Sequence, residues 1–344
     1  MNDEIDISVL IPVYSAEERI KNAIDAVLLQ GVRLEIIAVD DESDDRTPVI
    51  IREYESRVEN FRLITFDQNR GVGAARAAAL AVARGKYLAF CDADDTVPHG
   101  AYRAMLLAAR GADVVVGAYL NIGEGGVATG MFKPPRRRGR TLFRSLFSVC
   151  CLWNKLIRRD FVLEKGLKFD TGLTLGEDVV FLGHLYNASP SYNTTDHLVY
   201  SHLLHSGSLI HTYTVASFIK HIECRRILLD VCKCPEAERF IAVELSPFLC
   251  NFLFCIPSSD FSVAFDVYKE YISEISAFLD DDLFITVTGL RRELFSVVSA
   301  HEYIRLLVTS PPRERVLIEY RSGAIGIRWI IKYFSAWLGH KIMK

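Results

Sequence analysis

The chain of 344 residues carries 40 Lys and Arg against 43 Asp and Glu, a formal net charge of −3, and half of it is hydrophobic. That is the composition of an ordinary globular protein with a substantial core, long enough for two domains, and it offers no basic field that would make nucleic acid the main partner. Its eight cysteines contain no CxxC pair, which favours reduced thiols in a cytoplasmic protein over a zinc site, and the acidic start Met1-Asn2-Asp3-Glu4 is the wrong opening for a secretory signal.

The run Ile7-Ser8-Val9-Leu10-Ile11-Pro12-Val13-Tyr14 is short and continuously apolar, as expected of a strand covered on both faces, with Pro12 ending its hydrogen bonding. Ser15-Ala16-Glu17-Glu18 then reads as a helix start, with Ile20, Ala23, Ile24, Val27 and Leu28 along one face. A second buried strand over residues 34–39 closes on Asp40-Asp41-Glu42-Ser43-Asp44. Residues 46–57 form the next helix and residues 61–66 the third strand. Asn69-Arg70-Gly71-Val72-Gly73 opens an alanine-rich helix through Ala83, and residues 86–90 form the fourth strand. Strands alternating with helices at this spacing predict a mostly parallel, Rossmann-like α/β sheet with right-handed crossovers.

The fourth strand runs directly into Cys91-Asp92-Ala93-Asp94-Asp95. Three acids this close together must be solvated or bound to a cation, because burying them unpaired is very costly. A hard divalent metal shared with a nucleotide diphosphate fits such oxygen ligands, and so does a plain polar turn. Position favours the metal. Tyr14, Asp40-Asp41, Asn69 and the acidic stretch all follow strand carboxyl ends, where ligands sit in parallel α/β sheets.

A helix over residues 101–109 and a strand over residues 112–117 follow. The basic segment Lys133-Pro134-Pro135-Arg136-Arg137-Arg138-Gly139-Arg140 reads either as a solvated surface loop or as a clamp for an anionic acceptor. Trp153-Asn154-Lys155 leads on to Gly176-Glu177-Asp178, where two acids open an apolar helix. They are either helix-start acids favoured by the dipole or, at a cleft mouth, a source of general base. Tyr200-Ser201-His202 and His205-Ser206-Gly207-Ser208 bring polar donors after a strand-like run.

From about Thr214 the pattern is helical, which divides the chain into domains 1–212 and 213–344. The apolar stretch 240–256 is broken by Glu244, Pro247 and Asn251, so it reads as one or two buried helices, not a membrane span. The final helix, 323–344, mixes Trp329, Tyr333, Phe334 and Trp337 with Arg328, Lys332, Lys341 and Lys344. Peripheral contact with an anionic membrane surface, packing on the domain and a homo-oligomer interface all fit it.

Taken together, the clusters resemble the inverting family 2 glycosyltransferases. The matching stretches are residues 7–14, the block from Glu35 to Thr47, Asn69-Arg70-Gly71 through Arg76, Phe90 to Asp95, and Gly176-Glu177-Asp178. The resemblance implies a GT-A fold over about the first 210 residues, followed by a helical extension. It implies that Pro12, Tyr14, Asp41, Asn69 and Arg76 hold the nucleotide and that Asp92 meets ribose and metal. Asp94 would ligate Mn²⁺ or Mg²⁺, and Asp178 would act as the catalytic base. His205 and Ser208 match diphosphate or acceptor contacts, and Asp95 is left to support the pair or meet the acceptor. The function implied is sugar transfer from a nucleotide diphosphate, most often UDP, to a glycan or lipid-linked acceptor in bacterial surface polysaccharide synthesis. Its place would be the cytoplasm, at the inner face of the membrane.

The chain departs from the family pattern at two positions. Glu42 stands where a glycine is usual, so a turn of positive φ would be strained there, and Ala77 replaces a common asparagine. Two other readings compete, a sugar-phosphate nucleotidyltransferase and a non-catalytic GT-A scaffold. The first would need a glycine-rich, basic loop directly after the first strand, and Pro12-Val13-Tyr14-Ser15 is no such loop.

Overall fold

The computed structural model describes residues 4–123, 125–134, 150–204, 213–257 and 259–279, together with 288, 295, 298–300 and 303. The chain forms two compact units, Met1–His211 with Arg226–Cys232, and Thr212–Arg225 with Lys233–Lys344.

The first unit begins with β1 (Ile7–Val13), α1 (Ile20–Leu28), β2 (Leu34–Asp40), α2 (Thr47–Arg57), β3 (Phe61–Thr65), α3 (Val72–Val82) and β4 (Tyr87–Phe90). The apolar runs of β1, β2 and β4 are buried almost throughout, because helices cover the sheet. Ile20, Ala23, Ile24 and Val27 form the buried stripe of α1, and each isoleucine or valine of it contributes about 1.5–3 kcal/mol by leaving water. The helix starts later than its sequence suggests. The Ser15, Ala16 and Glu17 N–H groups donate to Ser43 Oγ at 2.8 Å, Thr47 Oγ1 at 2.8 Å and Asp45 Oδ2 at 3.1 Å, so residues 15–19 are pinned to the loop after β2.

Pro12 does not end β1. It pairs in register with Val39, and Val13 pairs with Asp40. Pairing with β4 stops at Leu10, beyond which the missing proline N–H falls on the β4 side.

The unit continues with α4 (Ala101–Ala109), β5 (Val114–Ile122), β6 (Ala128–Phe132), β7 (Lys155–Arg158), α5 (Arg159–Glu164), α6 (Glu177–Asn187) and β8 (Tyr192–Leu203). Among the described residues eight strands form one sheet, in the order β3-β2-β1-β4-β7-β5-β6, with β8 beside β5. The first four strands in that order are parallel, and β7 is inserted antiparallel between β4 and β5. Since β8 pairs with nearly the whole of β5, β7 and β6 must share its other edge.

In the second unit, the described residues are helical over α7 (Val215–Val231, whose last turns belong to the first unit), α8 (Pro235–Phe240), α9 (Ser246–Cys255) and α10 (Phe261–Ile275). A π-helical segment, Ile241–Leu245, separates α8 from α9, and Pro247 falls in the first turn of α9. Phe218, Phe252 and Tyr268 pack ring to ring there. No described helix is long and apolar enough to cross a membrane. The final helix, 323–344, and residues 135–140 of the basic segment lie outside the described residues.

Candidate active site

Because β3, β2, β1 and β4 lie side by side and run the same way, their carboxyl ends bring Asn69, Asp41, Tyr14 and Asp92 to one edge. Pro12 is half-buried within β1, and Tyr14, just past its end, is 55% exposed and presents an open ring. Asp41 is buried, and its carboxylate gathers the following loop. Oδ1 accepts the Arg70 N–H at 2.7 Å, Oδ2 accepts the Gly71 N–H at 2.8 Å, and its carbonyl accepts Asn69 Nδ2 at 3.2 Å. Gly71, at φ 84°, turns this loop into α3.

Glu42 adopts φ 66°, the left-handed conformation that costs a non-glycine residue energy. Its side chain does something that a glycine cannot: Oε2 accepts the Asn69 N–H at 2.8 Å. Beside this turn Thr65, Phe66, Asp67, Gln68 and Arg70 line an open cleft of about 460 Å³.

The acidic stretch after β4 separates into different environments. Asp95 is buried, with Oδ2 accepting the Tyr200 hydroxyl at 2.8 Å and Oδ1 the Leu203 N–H at 2.7 Å. Burial, with the charge of Asp92 added, pushes its carboxyl up to about 8. The same Tyr200 oxygen accepts the Asp92 N–H at 3.0 Å, so one hydroxyl ties both ends of the stretch to β8. Trp153 stacks on Tyr200 with ring centroids 4.5 Å apart. Asp92 and Asp94 are half-buried, their carboxylates reaching solvent.

Arg76, buried on α3, connects this stretch to a second acidic element. Nη2 pairs with Asp92 Oδ1 at 2.9 Å and Nη1 with Glu177 Oε1. Burial opposes the guanidinium charge, but the carboxylates of Asp92, Glu177 and Asp178 outweigh it and raise the arginine's proton affinity. Gly176, at φ 81°, turns the chain into α6, which starts with Glu177 and Asp178. Asp178 Oδ1 accepts the Val179 N–H at 2.8 Å. Burial, reinforced by Glu177 and opposed by Arg76, pushes the Asp178 carboxyl up to about 7.

Asp92, Glu177 and Asp178 therefore surround Arg76, Asp94 and Asp95 adjoin Asp92, and burial together with this neighbouring negative charge raises the carboxyls of Asp95 and Asp178. Two solvent-reaching carboxylates in a negative field suit a hard divalent cation that takes its remaining ligands from a diphosphate. Among the described residues no cluster of three or more metal-ligating side chains occurs, so the chain's described side chains would not cage an ion by themselves. His205 and Ser208 lie outside the described residues.

Sequence reasoning did not anticipate Tyr200 as a tie, nor Glu177 as the partner of Arg76. Tyr200 did fall within the polar run after a strand-like segment, and Glu177 showed itself only as a helix-start acid.

An open sheet with an acidic edge at its strand carboxyl ends defines a ligand-binding α/β domain. The model of the family described as glycosyl transferase family 2 matches residues 8–164. The succinoglycan biosynthesis protein ExoO of Rhizobium meliloti (strain 1021) is 33% identical over 193 residues, covering 52% of this chain and 54% of that protein. The poly(ribitol-phosphate) beta-glucosyltransferase of Bacillus spizizenii is 31% identical over 186 residues, covering 52% of this chain and 29% of that one. The chain thus spans about half the length, or less, of these curated relatives. The crystal structure of S. aureus TarS 1-349 in complex with UDP-GlcNAc superposes with a TM-score of 0.68 at 17% identity, covering 93% of this chain and 92% of that one. Residues 8–164 of this chain thus match glycosyl transferase family 2, and the chain has the GT-A fold.

Proposed function

We propose that the protein is an inverting glycosyltransferase that moves a sugar from a UDP-linked donor to a hydroxyl of a glycan or lipid-linked acceptor in cell-surface polysaccharide synthesis. The observation that carries this reading is the Arg76 bridge, which joins Asp92, on the acidic stretch after β4, to the helix start that bears Asp178. The relatives named for succinoglycan and poly(ribitol-phosphate) synthesis, and the UDP-GlcNAc complex of TarS, support the donor and acceptor classes.

In this reading the uracil and ribose lie along Pro12, Tyr14, Asp41 and Asn69, with the exposed Tyr14 ring offering an apolar face. Asp92 and Asp94 would hold Mn²⁺ or Mg²⁺, which when bound offsets the charge of the departing diphosphate. Asp178 takes the proton from the acceptor hydroxyl. The hydroxyl oxygen then attacks the anomeric carbon from the side opposite the diphosphate, and the sugar's configuration inverts. A carboxyl raised to about 7 suits this role, because a general base works best with a proton affinity near the operating pH. Arg76 pairs with Asp92 and Glu177 beside the nucleotide, and His205 and Ser208 are assigned to the diphosphate or the acceptor. The protein then works in the cytoplasm, at the inner face of the membrane when its acceptor is lipid-linked.

The test is a thermal-shift panel of nucleotide sugars with and without Mn²⁺, followed by transfer assays on the stabilising donor. Mn²⁺-dependent stabilisation by a UDP-sugar, with turnover, is the expected result. No stabilisation by any donor would overturn the reading, and UDP binding without turnover on any acceptor would replace it with a non-catalytic scaffold.

A further inference from the structure

Glu177 and Arg76 form the most deeply buried ion pair on this edge, with side chains 5% and 7% exposed, whereas the other carboxylate bonded to Arg76, Asp92, is 31% exposed. A guanidinium cannot shed its charge, so once buried it must keep a partner. Its third donor, Nε, is buried with no hydrogen-bond partner among the described residues, which leaves Glu177 and Asp92 to satisfy it. Were Glu177 uncharged, Asp92 would be the ionised carboxylate left bonded to Arg76. Any ligand that needed Asp92 would then have to strip a buried cation of its counter-charge.

The seat of Glu177 is built for it. A Cβ at Gly73, one turn before Arg76 on α3, would lie 3.3 Å from Glu177 Cγ and 2.8 Å from the Asp170 carbonyl oxygen. Glycine at that position lets the first residue of α6 reach the guanidinium. Gly176, in a left-handed conformation, sets the point at which α6 begins.

We propose that Glu177 is a positioning residue whose charge neutralises Arg76 and so keeps Asp92 available to the metal and diphosphate of the donor. The proposal rests on the glycosyltransferase reading and names a role in it for a residue that touches neither substrate nor metal. Glu177 sets how readily the acidic edge accepts a divalent ion.

The experiment measures, on the full chain, the Mn²⁺ concentration that half-saturates UDP binding, read by calorimetry. Glu177→Gln keeps the shape and an acceptor oxygen but removes the charge. It is expected to raise the half-saturating Mn²⁺ about 10-fold or more, the usual size of effect when a partner behind a metal ligand is lost. An unchanged midpoint in folded Glu177→Gln would overturn the proposal and leave the glycosyltransferase reading standing. Absence of Mn²⁺-dependent UDP binding in the wild type would overturn both. If Glu177→Gln does not fold, Gly73→Ala, whose Cβ would press on Glu177 Cγ, takes its place. Its midpoint should also rise about 10-fold, and an unchanged midpoint would sink the proposal.

Discussion

In the parallel half of the sheet, β3-β2-β1-β4, each strand ends at the edge beside a polar residue, and after β2 main-chain groups hold that residue there. Asp41 is fixed by the N–H groups of Arg70 and Gly71, which belong to the next loop but one. In the other half, β7, β5, β6 and β8, support comes from side chains distant in sequence. Tyr200 on β8 reaches back more than a hundred residues to Asp92 and Asp95, and Trp153, just before β7, stacks on it. In the proposed function the first half presents the ligand-facing groups, while Tyr200 of the second fixes the acidic stretch. The same contrast separates the acids: Asp92 and Asp94 reach solvent while Asp95 is consumed as an anchor.

The largest expected effect is at the base. Asp178→Asn should lower kcat for transfer about 10²–10⁴-fold while leaving the Kd for UDP within about twofold, measured by transfer assay and calorimetry. Equal loss of binding would move Asp178 to the donor side of the site. Tyr200→Phe removes the donor to buried Asp95 and the acceptor of the Asp92 N–H. Leaving such groups unsatisfied should destabilise the protein by about 1–3 kcal/mol in denaturant titration and weaken UDP binding. An unchanged midpoint would break the claim that β8 supports the acidic stretch. Asp41→Asn turns an amide hydrogen towards the Arg70 and Gly71 N–H groups. The Kd for UDP should rise about 10-fold, equivalent to roughly 1.4 kcal/mol, with kcat nearly unchanged. The smallest effect belongs to Glu42. Glu42→Gly relieves left-handed strain of about 1 kcal/mol but loses a hydrogen bond worth about 0.5–1.5 kcal/mol, so stability should move by less than about 0.5 kcal/mol. Glu42→Ala keeps the strain, loses the bond and should be destabilised by about 1 kcal/mol.

The parallel half was legible in the sequence because its signals are local. Apolar runs ending in Tyr14, Asp41, Asn69 and Asp92 announce strands and the edge they share, and Glu42 could be marked as a strained position from the glycine it replaces. The antiparallel insertion of β7 was not legible. Four residues that begin with Lys155 and end with Arg158 carry no period, and only pairing with β4 and β5 makes them a strand. Likewise the pattern of Glu177 fits any acid at a helix start. Its burial against Arg76 depends on Gly73 and on where α6 lands, which no nearby residue encodes. Pro12 misled in the opposite direction, because a proline can close one ladder of a strand while the other continues.

The central claim, that Asp178 is a general base tuned by burial, is tested most directly by the pH dependence of kcat/KM for sugar transfer between about pH 5 and about pH 9. Asp178 must be deprotonated to take the acceptor's proton. The rate should therefore fall about tenfold per unit below about 7 and level off above it, and Asp178→Asn should lose this acid limb along with most of its activity. A profile that stays flat down to about pH 5, or an acid limb near 7 that survives in Asp178→Asn, would contradict it.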